Sequence, residues 1–255
     1  MRLGLLLALI TGPALSARAA NSCNPRDLEG TYGFQLTGET TISSSGEPKP
    51  AVSLGRLVFD DSGGVSGTSS AKFAGLLLGN PVTGRYEARR NCSVSFDLQD
   101  DSGGHQHFSG VAAPGGVRVR FRQTDPGGVR DGLLVRVPPD GCRASDLKQK
   151  YTFTLSGSIV PMTEEGASRE VSAKGVMEQD SNHHFRLTLE GSPLHATDVA
   201  ISVESDCTVE QELMLPVEGN ASPVKLRGIL VDQGKEILAI QTDPGAMVSA
   251  RFVAR

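Results

Sequence analysis

Nowhere in this 255-residue chain is there a G-x-S-x-G elbow, an H-E-x-x-H pair or a glycine-rich phosphate loop. No nucleophile turn, helical zinc-peptidase site or nucleotide cradle is therefore written locally. The four cysteines form no C-x2-C pair, which removes the usual structural zinc framework. No apolar run reaches membrane-helix length, the one in the first residues being broken by Gly12 and Pro13, so membrane insertion is not expected. Helix periodicity is nearly missing, and so is basic excess: 25 Lys and Arg stand against 29 Asp and Glu. That balance disfavours nucleic acid or an anionic membrane as a partner.

What the chain does have is an internal repeat. C-x3-D-L-x3-Y-x-F-x-L-x-G runs from Cys23 through Asp27, Leu28, Tyr32, Phe34 and Leu36 to Gly38. It recurs from Cys142 through Asp146, Leu147, Tyr151, Phe153 and Leu155 to Gly157, 119 residues later. A second anchor, Q-T-D-P-G, stands at 123–127 and again at 241–245, and Cys92 is answered by Cys207. Two copies of one unit are implied. The expected organisation is an export signal over 1–19, a first unit over 20–137, a linker at 138–141 and a second unit over 142–255. The signal reading rests on Arg2, the apolar stretch Leu5 to Ile10 and the small-x-small site Ala17-Arg18-Ala19. Its removal would take two basic residues and no acidic ones, leaving a balance of −6. A secreted or periplasmic location follows as an expectation.

An even cysteine count behind an export signal points to disulfides. Three connectivities are possible; the duplication favours Cys23–Cys92 and Cys142–Cys207, which gives each copy the same internal bridge. Each would close a loop of about 70 residues, worth on the order of 4 kcal/mol.

Within a unit the apolar period is two. Tyr32, Phe34 and Leu36 alternate with small and polar residues, as do Tyr151, Phe153 and Leu155. About eight short strands per unit are separated by turn residues such as Asp60-Asp61-Ser62-Gly63-Gly64 and Asp-Pro-Gly. The strands of the first unit include Val52–Phe59, Ser66–Phe73, Arg85–Ala88 and Ser93–Leu98. Pro25–Glu29 and Ala144–Gln149 are expected as single helical turns, capped by Asp27 and Asp146. The predicted fold is all-β: two tandem antiparallel up-and-down β-barrels of about eight strands each, with β-sandwiches as the alternative.

Gly30–Phe34, Gly55–Asp60, a mid-unit Cys92 and Thr124–Gly127 resemble uncharacterised secreted bacterial proteins. The unit is similar to calycin-like small barrels, the group of lipocalins and avidins, and to allene-oxide-cyclase-type barrels. That resemblance implies a fold class. The chain has no tryptophan, so the G-x-W of lipocalins is answered only by Gly30-Thr31-Tyr32, and no site residue is carried over.

Several constellations were weighed as sites. His105 and His107 share one strand face at a spacing that can chelate zinc or copper, although a polar outer face beside the Ser102-Gly103-Gly104 turn explains them better. His183, His184 and His195 complete the five histidines. The acidic glycine turns lack the oxygen spacing of a calcium loop. Asp125 and Asp243 fit the first position of a turn. Arg118, Arg120 and Arg122 form an outward stripe, with Arg130 and Arg136 near by, and are the candidate surface site for an anion or acidic polymer. In the second copy Glu236, Leu238 and Ile240 take the places of those arginines. That strand is apolar on both faces, so Leu238 and Ile240 are the candidate interface, toward the first unit or a partner protein.

Neither catalytic residues nor a cofactor is indicated. The best-supported function is an exported non-enzymatic binding or interaction protein of unknown specificity, partnered by a protein or a small molecule. Its alternatives are a carrier of a small apolar ligand inside a barrel, and an isomerase- or cyclase-type barrel enzyme. The second unit has fewer aromatics, which makes it the better candidate for a hollow barrel.

Overall fold

Alternation of apolar and small polar residues every second position leaves each strand with one face to bury, and eight consecutive antiparallel strands bury it by closing on themselves. The computed structural model describes residues 22–41, 47–73, 76–160, 168–182, 184–191, 197–217 and 220–255. The candidate signal at 1–19, His183 and His195 lie outside the described residues.

The first barrel comprises β1 (Gly30–Thr40), β2 (Lys49–Phe59), β3 (Gly64–Phe73), β4 (Leu76–Ala88), β5 (Ser93–Asp100), β6 (His105–Ala112), β7 (Arg118–Gln123) and β8 (Gly128–Arg136). The second comprises β9 (Lys150–Ile159), β10 (Arg169–Gln179), β11 (Phe185–Leu189), β12 (Thr197–Val203), β13 (Thr208–Val217), β14 (Asn220–Val231), β15 (Glu236–Gln241) and β16 (Ala246–Ala254). Each strand pairs antiparallel with its sequence neighbours, β1 closes on β8 and β9 on β16. Both sheets are thus closed up-and-down barrels, not sandwiches.

Three local expectations are corrected. The strand expected at Arg85–Ala88 begins at Leu76. Gly79, Pro81 and Gly84 read as turn residues, yet continuous pairing with β3 carries the chain through them. Asn24, not Asp27, caps the first short helical turn, its Oδ1 accepting from the Arg26 N–H at 3.2 Å. Asp146 does act as a cap, accepting from the Arg143 N–H at 2.7 Å. The second helical turn is shorter than expected, spanning Ala144–Asp146.

One end of each barrel is closed by the repeated frame. Cys23 is bridged to Cys92 and Cys142 to Cys207, with Cα–Cα distances of 5.0 and 4.8 Å. The buried Tyr32 hydroxyl donates to Gly116 O at 2.6 Å, and Tyr151 to Gly234 O at 2.7 Å. Burial pushes both phenols up to about 12, against Arg136 for Tyr32 and a Lys148 N–H for Tyr151, so they stay donors at neutral pH. Gly116 and Gly234 have φ of +63° and +80°; a Cβ there would lie 1.9 and 2.0 Å from the carbonyl oxygens of Asp27 and Asp146. This contact explains why the D-L turn and the tyrosine recur together.

The interiors differ. Tyr32, Phe34, Phe59, Tyr86, Phe96, Phe108 and Phe121 form a continuous ring network in barrel 1, with neighbouring centroids 4.7 to 6.3 Å apart. Register aligns Phe96 with Gln211, Phe108 with Leu226 and Phe121 with Ala239 in barrel 2. Rings have been lost there at three matched places. An eight-stranded barrel is just wide enough to be filled by side chains or to hold one small ligand, so such losses decide between the two.

Candidate functional site: the two barrel mouths

Opposite the disulfide end, each barrel opens between the Q-T-D-P-G turn and the neighbouring hairpins. Asp125 and Asp243 do more there than start a turn. Asp125 Oδ2 accepts from the His107 N–H at 2.7 Å, and Asp243 Oδ2 from the Lys225 N–H at 3.0 Å, latching the turn to β6 or β14. The side-chain amides of Gln123 and Gln241 donate to those same carboxylates at 3.0 and 2.9 Å. This leaves the amide oxygen of each glutamine aimed inward as an acceptor.

In barrel 1 that acceptor is occupied. Arg130, on β8, turns inward, and its Nε donates to Gln123 Oε1 at 2.6 Å and its Nη2 to Gln106 Oε1 at 3.0 Å. The side chain is only 6% exposed. Burial pulls its guanidinium down to about 10, with Asp125 opposing, so it remains charged at neutral pH. A planar fork held by two amide oxygens plugs this mouth.

In barrel 2 the plug is missing from the sequence. Arg130 faces Gly38 across the sheet, and its counterpart facing Gly157 is Val248; the position of Gln106 is taken by Val224. A cavity of about 710 Å³ opens here, lined among the described residues by Leu155, Ile159, Val171, Ala173, Leu215, Val224, Ala246 and Pro244. Gln241 and Asp243 supply polar atoms to its wall, and Arg169 and Glu170 stand at its rim. Among the described residues nothing donates to Gln241 Oε1 or Asp243 Oδ1. Deeper in the same barrel Gln211 is 3% exposed, and neither its Oε1 nor its Nε2 has a partner among the described residues.

The outer wall near this mouth is held by barrel 1. Lys72, fully buried, donates from Nζ to Gln241 O at 3.1 Å and Asp243 O at 2.5 Å. Gln35 Nε2 donates to Ala239 O at 2.8 Å and Ala250 O at 3.2 Å, two residues that face each other across β15 and β16. Leu238 and Ile240, both 0% exposed, belong to one apolar cluster with Val52, Leu54 and Val135 of barrel 1. Glu236 on the same face receives hydrogen bonds from Arg118 of barrel 1 and Arg251 of barrel 2.

The arginine stripe is accordingly divided. Arg118 is spent on Glu236, Arg122 pairs with Asp131 at 2.8 Å in the open, and Arg120 projects outward between them. Arg130 and Arg136, near the stripe in sequence, both point into the barrel; Arg136 lies over the Tyr32 ring at 5.1 Å. His107 is paired through Nδ1 with Asp125 Oδ1 at 2.7 Å and stacks on His105 with centroids 6.4 Å apart. The Asp60 and Asp100 carboxylates accept from Ser62 and Gly64, and from Ser102 and Gly104, which makes them turn formers. Sequence reasoning missed Arg130, Gln106, Gln123, Gln241, Lys72 and Gln35. Extending the repeat alignment past Q-T-D-P-G would have set Arg130 against Val248.

The fold and this asymmetry define a tandem closed β-barrel with one plugged and one open mouth. No protein-family model and no curated protein sequence matches the chain. Among solved structures it is similar to a protein of unknown function from the DUF3598 family of Nostoc punctiforme PCC 73102, at 12% identity over 93% of this chain and 98% of that one, with a TM-score of 0.27. Transferrin binding protein B of serogroup B Neisseria meningitidis gives 10% identity over 91% and 77%, with a TM-score of 0.28. A mutant of the same protein from Haemophilus parasuis Hp5 gives 8% over 89% and 76%, with a TM-score of 0.31. Likenesses of that size carry no argument about ligand or partner.

Proposed function

We propose that the chain is an extracytoplasmic binding protein that takes a small, largely apolar ligand into the mouth of its second barrel. The observation that carries this reading is the contrast between two copies of one frame. Where barrel 1 has Arg130 held by Gln123 and Gln106, barrel 2 has Val248, Val224 and a cavity of about 710 Å³. That volume lies within the range of small-molecule sites, which are mostly apolar with a few placed polar atoms. Barrel 1 then serves as scaffold, bracing the β15–β16 turn through Lys72 and the wall of the site through Gln35. Two disulfides in a chain without free cysteines support an oxidising compartment. Thiol alkylation of the protein taken from its own compartment should leave all four cysteines unmodified.

The test is uptake of a neutral apolar dye, N-phenyl-1-naphthylamine, followed by fluorescence. The native chain should bind one equivalent. Val248→Arg, which moves the barrel 1 plug into barrel 2, should abolish uptake while the fold, followed by circular dichroism, persists. Dye uptake undiminished by a folded Val248→Arg chain would place the site elsewhere and defeat the proposal.

A further inference from the structure

The plug of barrel 1 also describes what the mouth of barrel 2 is built to receive. Resting on the reading of barrel 2 as a ligand site, we propose that its ligand is an apolar molecule ending in a cationic, hydrogen-bond-donating head, such as an alkyl amine or alkyl guanidine. Arg130 is in effect such a molecule, a short aliphatic stem ending in a guanidinium, seated against Gln123 Oε1 at 2.6 Å. The glutamine, its aspartate latch and the turn that carries them recur unchanged as Gln241, Asp243 and the second Q-T-D-P-G. What does not recur is the arginine.

Gln241 Oε1 is therefore an acceptor held in position by its own amide's bond to Asp243, and among the described residues no donor reaches it. A ligand that brings no donor leaves this acceptor unmatched when it displaces water, which costs affinity. Charge around the patch is balanced, with Asp243 and Glu170 against Arg169 and the Lys72 ammonium behind the turn, so the preference rests on the hydrogen-bond acceptor and on the seat that Arg130 fills in barrel 1. Below this polar patch the wall is apolar, with Leu155, Val171, Ala173, Leu215 and Val224 where a stem would lie.

Isothermal titration calorimetry with three probes of equal chain length, dodecylguanidine, dodecanol and dodecanoate, each kept below its micellar concentration, tests this. The guanidine should bind the native chain at least tenfold tighter than the alcohol and the carboxylate. Gln241→Leu should cut that advantage to less than threefold, and Gln241→Glu, which keeps an acceptor and adds charge, should widen it about tenfold. Dodecanoate binding as tightly as dodecylguanidine, or an advantage unmoved by both variants, overturns the head-group inference and leaves the open barrel standing. If none of the three probes binds the native chain, the binding reading of barrel 2 falls with it.

Discussion

At the residue scale the molecule turns on a few buried polar groups, each of which makes a distinct prediction. Glu236 is 2% exposed between Arg118 and Arg251, which are 24% and 39% exposed. Removing it leaves two cations with no carboxylate, but both can partly rehydrate. Glu236→Ala should cost about 2 kcal/mol, at the low side of what breaking a buried pair costs, read from urea unfolding. Gln211 offers the reverse case. Its amide is buried without a partner among the described residues, with Phe96 at the matching place in barrel 1. Gln211→Leu should raise stability by about 1–2 kcal/mol, because an orphaned amide is replaced by an apolar group of similar size. A loss of stability would mean that the amide has a partner in solution.

His107 and Asp125 carry a pH dependence. The hydrogen bond that the His107 ring donates to Asp125, then the Asp125 charge, raises His107 above its ordinary 6.5. Partial burial pushes Asp125 up, but the His107 N–H, the His107 ring and the Gln123 amide outweigh it and hold the carboxyl below 3.8. A raised histidine stabilises fully below about 6.5 and loses that contribution as pH rises through its folded value; a lowered aspartate stabilises above about 3.8 and loses it as pH falls. The pair is thus complete only between those limits. The stability difference between the native chain and His107→Asn should be largest near pH 5 and shrink toward pH 9. The effect is small, since the ring is 60% exposed. A difference that grows with pH would contradict the pairing.

At the scale of elements, β15 carries the join between the barrels. All six of its residues are buried, the odd-numbered ones inside barrel 2 and the even-numbered ones against barrel 1. Leu238→Lys with Ile240→Lys should destabilise the chain by more than 3 kcal/mol, from two lost apolar burials and two stranded ammonium groups. It should also widen the molecular envelope in small-angle scattering. Unchanged scattering and stability would place these side chains outside the join.

Much of this was legible in the sequence, and the reasons are physical. Period-two alternation, turn residues and a repeat locate strands well, because side-chain direction in a strand depends only on parity. The doubly apolar pattern of β15 was legible for the same reason. β4 was cut short because its first half, with Gly79 and Pro81, shows no alternation of its own and is held by its neighbours. The plug was illegible as a plug. Arg130 lies next to Asp131, which pairs outward with Arg122, and an arginine near a stripe of arginines looks like surface. Only barrel closure shows that its parity points into the lumen.

At the scale of the whole molecule, two copies of one frame carry different interiors. Both copies retain the closed end with its disulfide, D-L turn and tyrosine, because those parts seal a barrel. They differ in the lumen and at the mouth, where barrel 1 has three more rings at matched places and a guanidinium plug and barrel 2 has an open cavity. Placing the plug of barrel 1 at the mouth of barrel 2 should therefore close it. Native mass spectrometry with dodecylguanidine counts bound molecules directly. We predict one per chain for the native protein and none for Val248→Arg, with Val248→Arg keeping its bound molecule as the result that would contradict the account.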